Sequence, residues 1–238
     1  MIGNYFKAAL LGLGMAAAGV GGASATTWDT HLVNNGVNGL GNTLSFTAGG
    51  ITIATTGWTS TPSNGNFAAS SINEYSGFGL GVCNATELSG SCGQPDHAVD
   101  NNVRNDFVLI VFGGNTVNGI SVDITGIGYD SDVTYYSGTG ATPTLTALNP
   151  SSAGLGSAST NLGSTLASGS PRTITIAGSA KWILIGAALP NNDGNLDYFK
   201  VRSITATATT VPEPASWMLM ILGFAGLAAA RRRLVATA

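Results

Sequence analysis

From Thr43 the chain runs Thr43-Leu44-Ser45-Phe46-Thr47-Ala48, turns at Gly49-Gly50, and returns as Ile51-Thr52-Ile53-Ala54-Thr55. Apolar and polar residues alternate on both arms. A two-residue glycine link accepts positive φ, so the stretch predicts a β-hairpin with one buried and one wet face. Strand-like runs recur downstream. Behind Asp106, the residues Phe107–Phe112 are a continuous apolar run rich in β-formers, so Asp106–Phe112 predicts a central strand covered on both faces. Val117–Ile124, Tyr129–Tyr136, Pro143–Leu148, Arg172–Ala177, Trp182–Leu189 and Tyr198–Thr209 follow. In the last, Phe199 and Val201 share a parity that Ile204, Ala206 and Ala208 do not, so a bulge near Arg202-Ser203 is needed to keep both sets on the core side. Thr56–Gly93 and Pro150–Ser170 read as loops. With 34 glycines and only 9% charged residues, the chain favours strands and turns over helices. The expected fold class is all-β: a β-sandwich of jelly-roll type with long loops.

Both ends differ from this body. At the start, Lys7 precedes an apolar stretch from Ala8 to Val20, and Ala23-Ser24-Ala25 supplies an A-x-A site. This is the pattern of a secretory signal peptide, residues 1–25, cleaved after Ala25 by signal peptidase. At the other end, Pro212-Glu213-Pro214 leads into an uncharged run from Ala215 to Ala230 and then Arg231, Arg232 and Arg233. As a helix, a run of about sixteen residues extends about 24 Å, somewhat less than a bilayer core of about 30 Å. Arginine snorkelling and an interfacial Trp217 can close that gap, with the arginines on the cytoplasmic side. On residues alone, a permanent membrane anchor and a buried core helix are the alternatives.

The tail Pro212-Glu213-Pro214-Ala215-Ser216-Trp217, with the apolar run and arginines behind it, resembles a PEP-CTERM sorting signal of the PEPxxW type, with Met218 where that variant usually has alanine. The resemblance implies processing by an exosortase of a Gram-negative bacterium. Cleavage at or near Pro212–Pro214 would follow an inner-membrane intermediate, and the remainder would pass to a surface carrier. Residues 211–238 are then the sorting signal and residues 26–210 the exported domain. Three body segments also resemble those of other exosortase-sorted surface proteins: Gly79-Leu80-Gly81-Val82, His97-Ala98-Val99-Asp100-Asn101 and Asp130-Ser131-Asp132.

The two cysteines, Cys83 and Cys92, lie close together in a Gly- and Ser-rich segment, and in an oxidising compartment they are expected to form a disulfide. Metal ligation is the alternative, with His97 the only further soft ligand nearby. The chain holds 9 basic and 12 acidic residues, and four of the basic ones, Lys7 and Arg231–Arg233, sit in the end segments. The body is acidic, which argues against a nucleic-acid partner. There is no H-E-x-x-H, G-x-S-x-G, P-loop or dinucleotide fingerprint, so no catalytic residue is assigned and no enzyme is expected.

Calcium is the more plausible chemistry, since a hard cation takes six to eight oxygens that sandwich loops can supply. Candidate ligands are Asp96, Asp100 and Asn101 in one loop and Asp193 and Asp197 in another, where Asn191–Asp197 also reads as a plain turn. The first functional expectation is an exported non-catalytic surface or extracellular-matrix protein serving biofilm or envelope organisation, with no required cofactor. The second is a carbohydrate-binding module presenting Trp28, Trp58, Tyr135 and Tyr136 to a polysaccharide. The third is a single-pass anchored protein that is never processed.

Overall fold

The computed structural model describes residues 24–35, 39–61, 65–87, 92, 97–128, 130–161, 171–188 and 195–209. These form strands and no helix. In chain order the strands are β1 (Ala25–Asp29), β2 (Thr43–Ala48), β3 (Ile51–Ser60), β4 (Phe67–Tyr75), β5 (Gly79–Cys83), β6 (Val99–Asp100), β7 (Asn105–Val111), β8 (Val117–Gly126), β9 (Val133–Gly138), β10 (Ser159–Asn161), β11 (Pro171–Ile176), β12 (Trp182–Ala187) and β13 (Tyr198–Ala208).

They build one curled sheet in the order β10-β9-β12-β7-β3-β4-β5-β13-β8-β11, with β2 added on β3 and β1 and β6 on β13. All of these strand pairings are antiparallel. The curl is made at β4, whose first half pairs with β3 (Ser60↔Phe67 to Gly57↔Ser70) and whose second half pairs with β5 (Ser71↔Cys83 to Tyr75↔Gly79). The two halves of the sheet thereby face each other. Their inner faces supply a single core that includes Ile53, Val108, Ile110, Ile183 and Ile185 from one half and Val122, Ile124, Val201 and Ile204 from the other. Trp28 of β1 meets Phe112 across this core at 5.8 Å between ring centroids. Each such apolar side chain taken fully out of water contributes about 1.5–3 kcal/mol.

The expected hairpin forms as β2 and β3, with Ala48↔Ile51 flanking Gly49-Gly50; both glycines have positive φ. The expected bulge is also present. The β13–β8 register shifts between Val201 and Ser203, and as a result Phe199, Val201, Ile204 and Ala206 are all buried. Asn105–Val111 is covered on both faces, as the apolar run Phe107–Val111 within it requires. Val108 and Ile110 face the main core, while Phe107 and Leu109 join a second cluster with Phe67, Tyr136, Leu145, Leu155, Trp182 and Leu184.

Three expectations change. Thr56–Gly93 is not one long loop: it completes β3 and holds β4 and β5. The strand β4 was hidden because it buries polar side chains, among them Ser70, Ser71, Asn73 and Glu74. The segment between β1 and β2 supplies partners along this strand. Glu74 Oε1 accepts Leu32 N at 3.0 Å, and Gly39 N donates to Ser71 Oγ at 3.3 Å. The Asn42 side chain both donates to Ile72 O and accepts from Ile72 N, at 2.7 Å each. Pro143–Leu148 is not a strand. It makes one isolated bridge, Thr146 with Phe67, and brings Leu145 to the cluster on the outer face of β7. Finally, Pro150–Ser170 is not loop throughout, since Asn149–Leu155 folds as hydrogen-bonded turns that present Leu155 to the same outer cluster and β10 follows.

Candidate functional site

The segment between β5 and β7 brings Glu87, His97 and Asp100 beside Asp106 of β7. Its base is the Cys83–Cys92 disulfide, with the Cα atoms 5.9 Å apart, so the pairing expected from spacing is realised and the thiolate-ligand alternative falls. The Tyr75 hydroxyl donates to Cys92 O at 2.6 Å. Within the bridged loop, Asn84 N donates to Glu87 Oε2 at 2.9 Å and Thr86 N to Asn84 Oδ1 at 3.0 Å, which folds the segment into a turn and fixes the Glu87 carboxylate. His97 Nδ1 lies 3.9 Å from Glu87 Oε2.

The Gly79-Leu80-Gly81 pattern explains how this loop can sit so close to the sheet. Gly79 has φ +122°, and a Cβ there would run into the Val201 carbonyl of β13. A Cβ on Gly81 would run into the His97 carbonyl. That same carbonyl accepts a hydrogen bond from Lys200 Nζ, and the ammonium lies 4.0 Å above the Tyr75 ring.

Glu87, Asp100 and Asp106 converge here, each offering a carboxylate oxygen within 4.8 Å of the others. Asp100 on β6 and Asp106 on β7 are buried and Glu87 is partly exposed. Burial pushes the Asp100 carboxyl up to about 7; Asn102 N–H, donating to Asp100 Oδ1 at 2.9 Å, pulls it down, Glu87 pushes it further up and Lys200 pulls it down. Asp106 is held well above the ordinary carboxylate range, first by burial and then by the Asp100 and Glu87 charges, against the pull of the nearby Thr59 and Asn84 side chains.

A second group, Asp130, Asp132 and Asp197, also brings three carboxylate oxygens within 4.8 Å of one another. Asp132 N donates to Asp197 Oδ1 at 2.8 Å, and Arg172 Nη2 reaches Ser131 O at 2.8 Å. Burial lowers the Arg172 pKa, while Asp132, Asp130 and Asp197 pull it back. A cation therefore already faces this group.

The calcium expectation is thus redistributed. Asp96 and Asp193 lie outside the described residues. Asn101 and Asp197, from the two separate candidate loops, bind each other: Asn101 Nδ2 donates to Asp197 Oδ2 at 2.7 Å and Asp197 N to Asn101 Oδ1 at 2.9 Å. Asp100 and Asp197 enter different carboxylate groups. Sequence reading did not select Glu87 or Asp106 at all. The available signal was Asp106 itself, a charge heading an otherwise apolar run.

The four aromatics considered for sugar stacking do not share one exposed platform. Trp28 is in the main core with Nε1 bonded to Ile51 O at 3.0 Å, and Tyr136 is buried in the second cluster. Trp58 and Tyr135 are half-buried, packed against different clusters.

Of the end segments, Ala23, Pro212, Glu213, Pro214, Trp217 and Arg231–Arg233 lie outside the described residues. Ala25 is the first residue of β1 and pairs with Thr207. Residues 210–233 match the family model of the PEP-CTERM protein-sorting motif. The chain carries a PEP-CTERM sorting signal. This signal marks an exported protein, processed by an exosortase and directed to the cell envelope or surface. Neither the curated proteins nor the solved structures contain a match to the chain.

Proposed function

We propose that this PEP-CTERM protein is a non-catalytic surface or extracellular-matrix component of a Gram-negative bacterium, serving biofilm or envelope organisation on a jelly-roll-type sandwich. The single observation that carries the reading is the sorting-motif match over residues 210–233. Signal peptidase cuts after Ala25, the uncharged run from Ala215 to Ala230 holds an inner-membrane intermediate with Arg231–Arg233 on the cytoplasmic side, and the exosortase cuts at or near Pro212–Pro214. Loss of Ala25 from β1 would remove only the outermost pair with β13 and leave Trp28 in place. The body is then a cargo whose surface meets other matrix components, polysaccharide among them.

Mass spectrometry of the protein recovered from its native host tests this directly. The expected mature chain begins at Thr26 and ends at or near the Pro212–Pro214 motif. A surface-exposed chain that still carries Arg231–Arg233 would replace the reading with a permanent anchor.

A further inference from the structure

The two carboxylate groups differ in what faces them. Asp130, Asp132 and Asp197 have the Arg172 guanidinium beside them. Around Glu87, Asp100 and Asp106 the described basic groups are Lys200, committed to the His97 carbonyl and the Tyr75 ring, and His97 itself, 3.9 Å from Glu87. Three carboxylates so close in a poorly solvated place repel one another unless protons or a cation neutralise them.

Hydrogen bonding leaves part of this group without a partner. Asp106 is fully buried, Asn84 Nδ2 approaches its Oδ2 at 3.5 Å, and its Oδ1 meets no donor. Thr59, 1% exposed and register-paired with Asp106 across β3 and β7, turns its hydroxyl toward that carboxylate and lowers its pKa, but not in full hydrogen-bond geometry. Two buried oxygens on paired residues, close to each other but neither in full bonding geometry, are costly in a folded protein and leave capacity for an occupant. The spacing suits one. Oxygens ligating a calcium ion at 2.3–2.6 Å lie no more than about 5 Å apart across it, and the three carboxylate oxygens are within 4.8 Å.

We propose that Glu87, Asp100 and Asp106, with the Thr59 hydroxyl beside them, form a binding site for a hard divalent cation, calcium in an exported protein. The ligands are all oxygens, which suits calcium over softer metals. Partly exposed Glu87 is the point of access, and the Cys83–Cys92 bridge holds the loop that carries it. Water fills the coordination positions that the protein does not supply, and such extracellular sites typically bind at about 10⁻⁴–10⁻³ M. The site is independent of the sorting signal, so its failure would leave the sorting reading intact.

The test uses the full chain purified in detergent and stripped with EDTA. Calcium at millimolar concentration is expected to give a saturable heat in isothermal titration and to raise the thermal midpoint. Glu87→Gln should weaken calcium affinity at least tenfold, and Asp106→Asn should abolish the midpoint shift. Asp132→Asn, in the other carboxylate group, should leave calcium affinity within twofold of the parent chain. Because Glu87 is at the surface, Glu87→Gln reports on the site even if Asp106→Asn misfolds. No heat and no midpoint shift in the folded parent chain would overturn the site and leave the three residues as carboxyl groups sharing protons. A calcium response undiminished in Glu87→Gln would overturn it equally.

Discussion

Asn101 and Asp197, 96 positions apart, bind each other through two hydrogen bonds, side chain to side chain at 2.7 Å and backbone N–H to side chain at 2.9 Å. Asp197 Oδ1 also accepts Asp132 N at 2.8 Å. One carboxylate therefore ties together the segment after β6, the segment before β9 and the start of β13. Asn101→Ala removes both bonds from the buried Asp197, which should cost about 1–3 kcal/mol. Asn101→Asp should cost more at neutral pH, because a second carboxylate would face the first. Urea denaturation at pH 7 reads both; a midpoint unchanged by Asn101→Ala would contradict the linking role.

The Glu87–Asp100–Asp106 group sets a pH dependence for the EDTA-stripped protein. Asp100 sits at about 7 when folded against an ordinary value of 3.8, and Asp106 is shifted the same way. A raised folded pKa means that the folded state holds its proton more tightly than the unfolded chain. Its stabilising contribution is complete below about pH 4 and is lost as pH climbs through 7. Burial is the main cause; of the groups facing Asp100, which are Glu87, Asp106 and Lys200, Glu87 raises its pKa more than Lys200 lowers it. At about 1.4 kcal/mol per pK unit, the loss amounts to a few kcal/mol. Thermal melts in steps from pH 4 to 8 should show the midpoint falling across this window, with Asp106→Asn flattening the slope. A midpoint that rises across the window would refute the assignment.

How far this site could be read in the chain depends on what fixes each residue's neighbours. The β2–β3 hairpin and the β13 bulge were legible because they follow from local alternation and the parity of Phe199, Val201 and Ile204. The strand Phe67–Tyr75 was not, because Ser70, Ser71, Asn73 and Glu74 break the apolar period. The burial of Glu74 and Ser71 is offset by polar groups far off in sequence, the Leu32 N–H on Glu74 and the Gly39 N–H on Ser71. The carboxylate group was half legible. Asp100 stood out in its polar loop, but Asp106 joins it through the β3–β7 register and Glu87 through the disulfide loop, and neither relation has a sequence period. The same holds for Asn101 and Asp197, which looked like parts of two separate sites.

Removing the disulfide should loosen this corner more than the rest of the fold. The loop-entropy model gives about 2.7 kcal/mol for a closed loop of about ten residues, and Cys83 and Cys92 are both fully buried. The double variant Cys83→Ala/Cys92→Ala should therefore unfold at lower denaturant by roughly that free energy. Hydrogen exchange should show extra loss of protection at Asn84–Glu87, while β12 and β13 keep theirs until global unfolding. Uniform loss across the whole sheet would show that the bridge acts on global stability alone.

Gly81 offers the sharpest steric test of how the loop is seated. A Cβ there would collide with the His97 carbonyl and crowd the Tyr75 ring at 2.9 Å, and the carbonyl is also held by Lys200 Nζ. The contact is backbone against β5, so it cannot be relieved by a side-chain rotamer change alone. Gly81→Ala should cost about 1–3 kcal/mol by overpacking and displace the segment from His97 to Asp100. Gly114→Ala is the matched control. Its φ of +84° carries backbone strain, yet no atom lies within 4 Å of an added Cβ, so the packing cost is absent there. If steric seating is what Gly81 provides, Gly81→Ala alone should alter the Tyr75 environment seen by near-ultraviolet circular dichroism. Equal spectra for the two variants would reduce Gly81 to a backbone-entropy role.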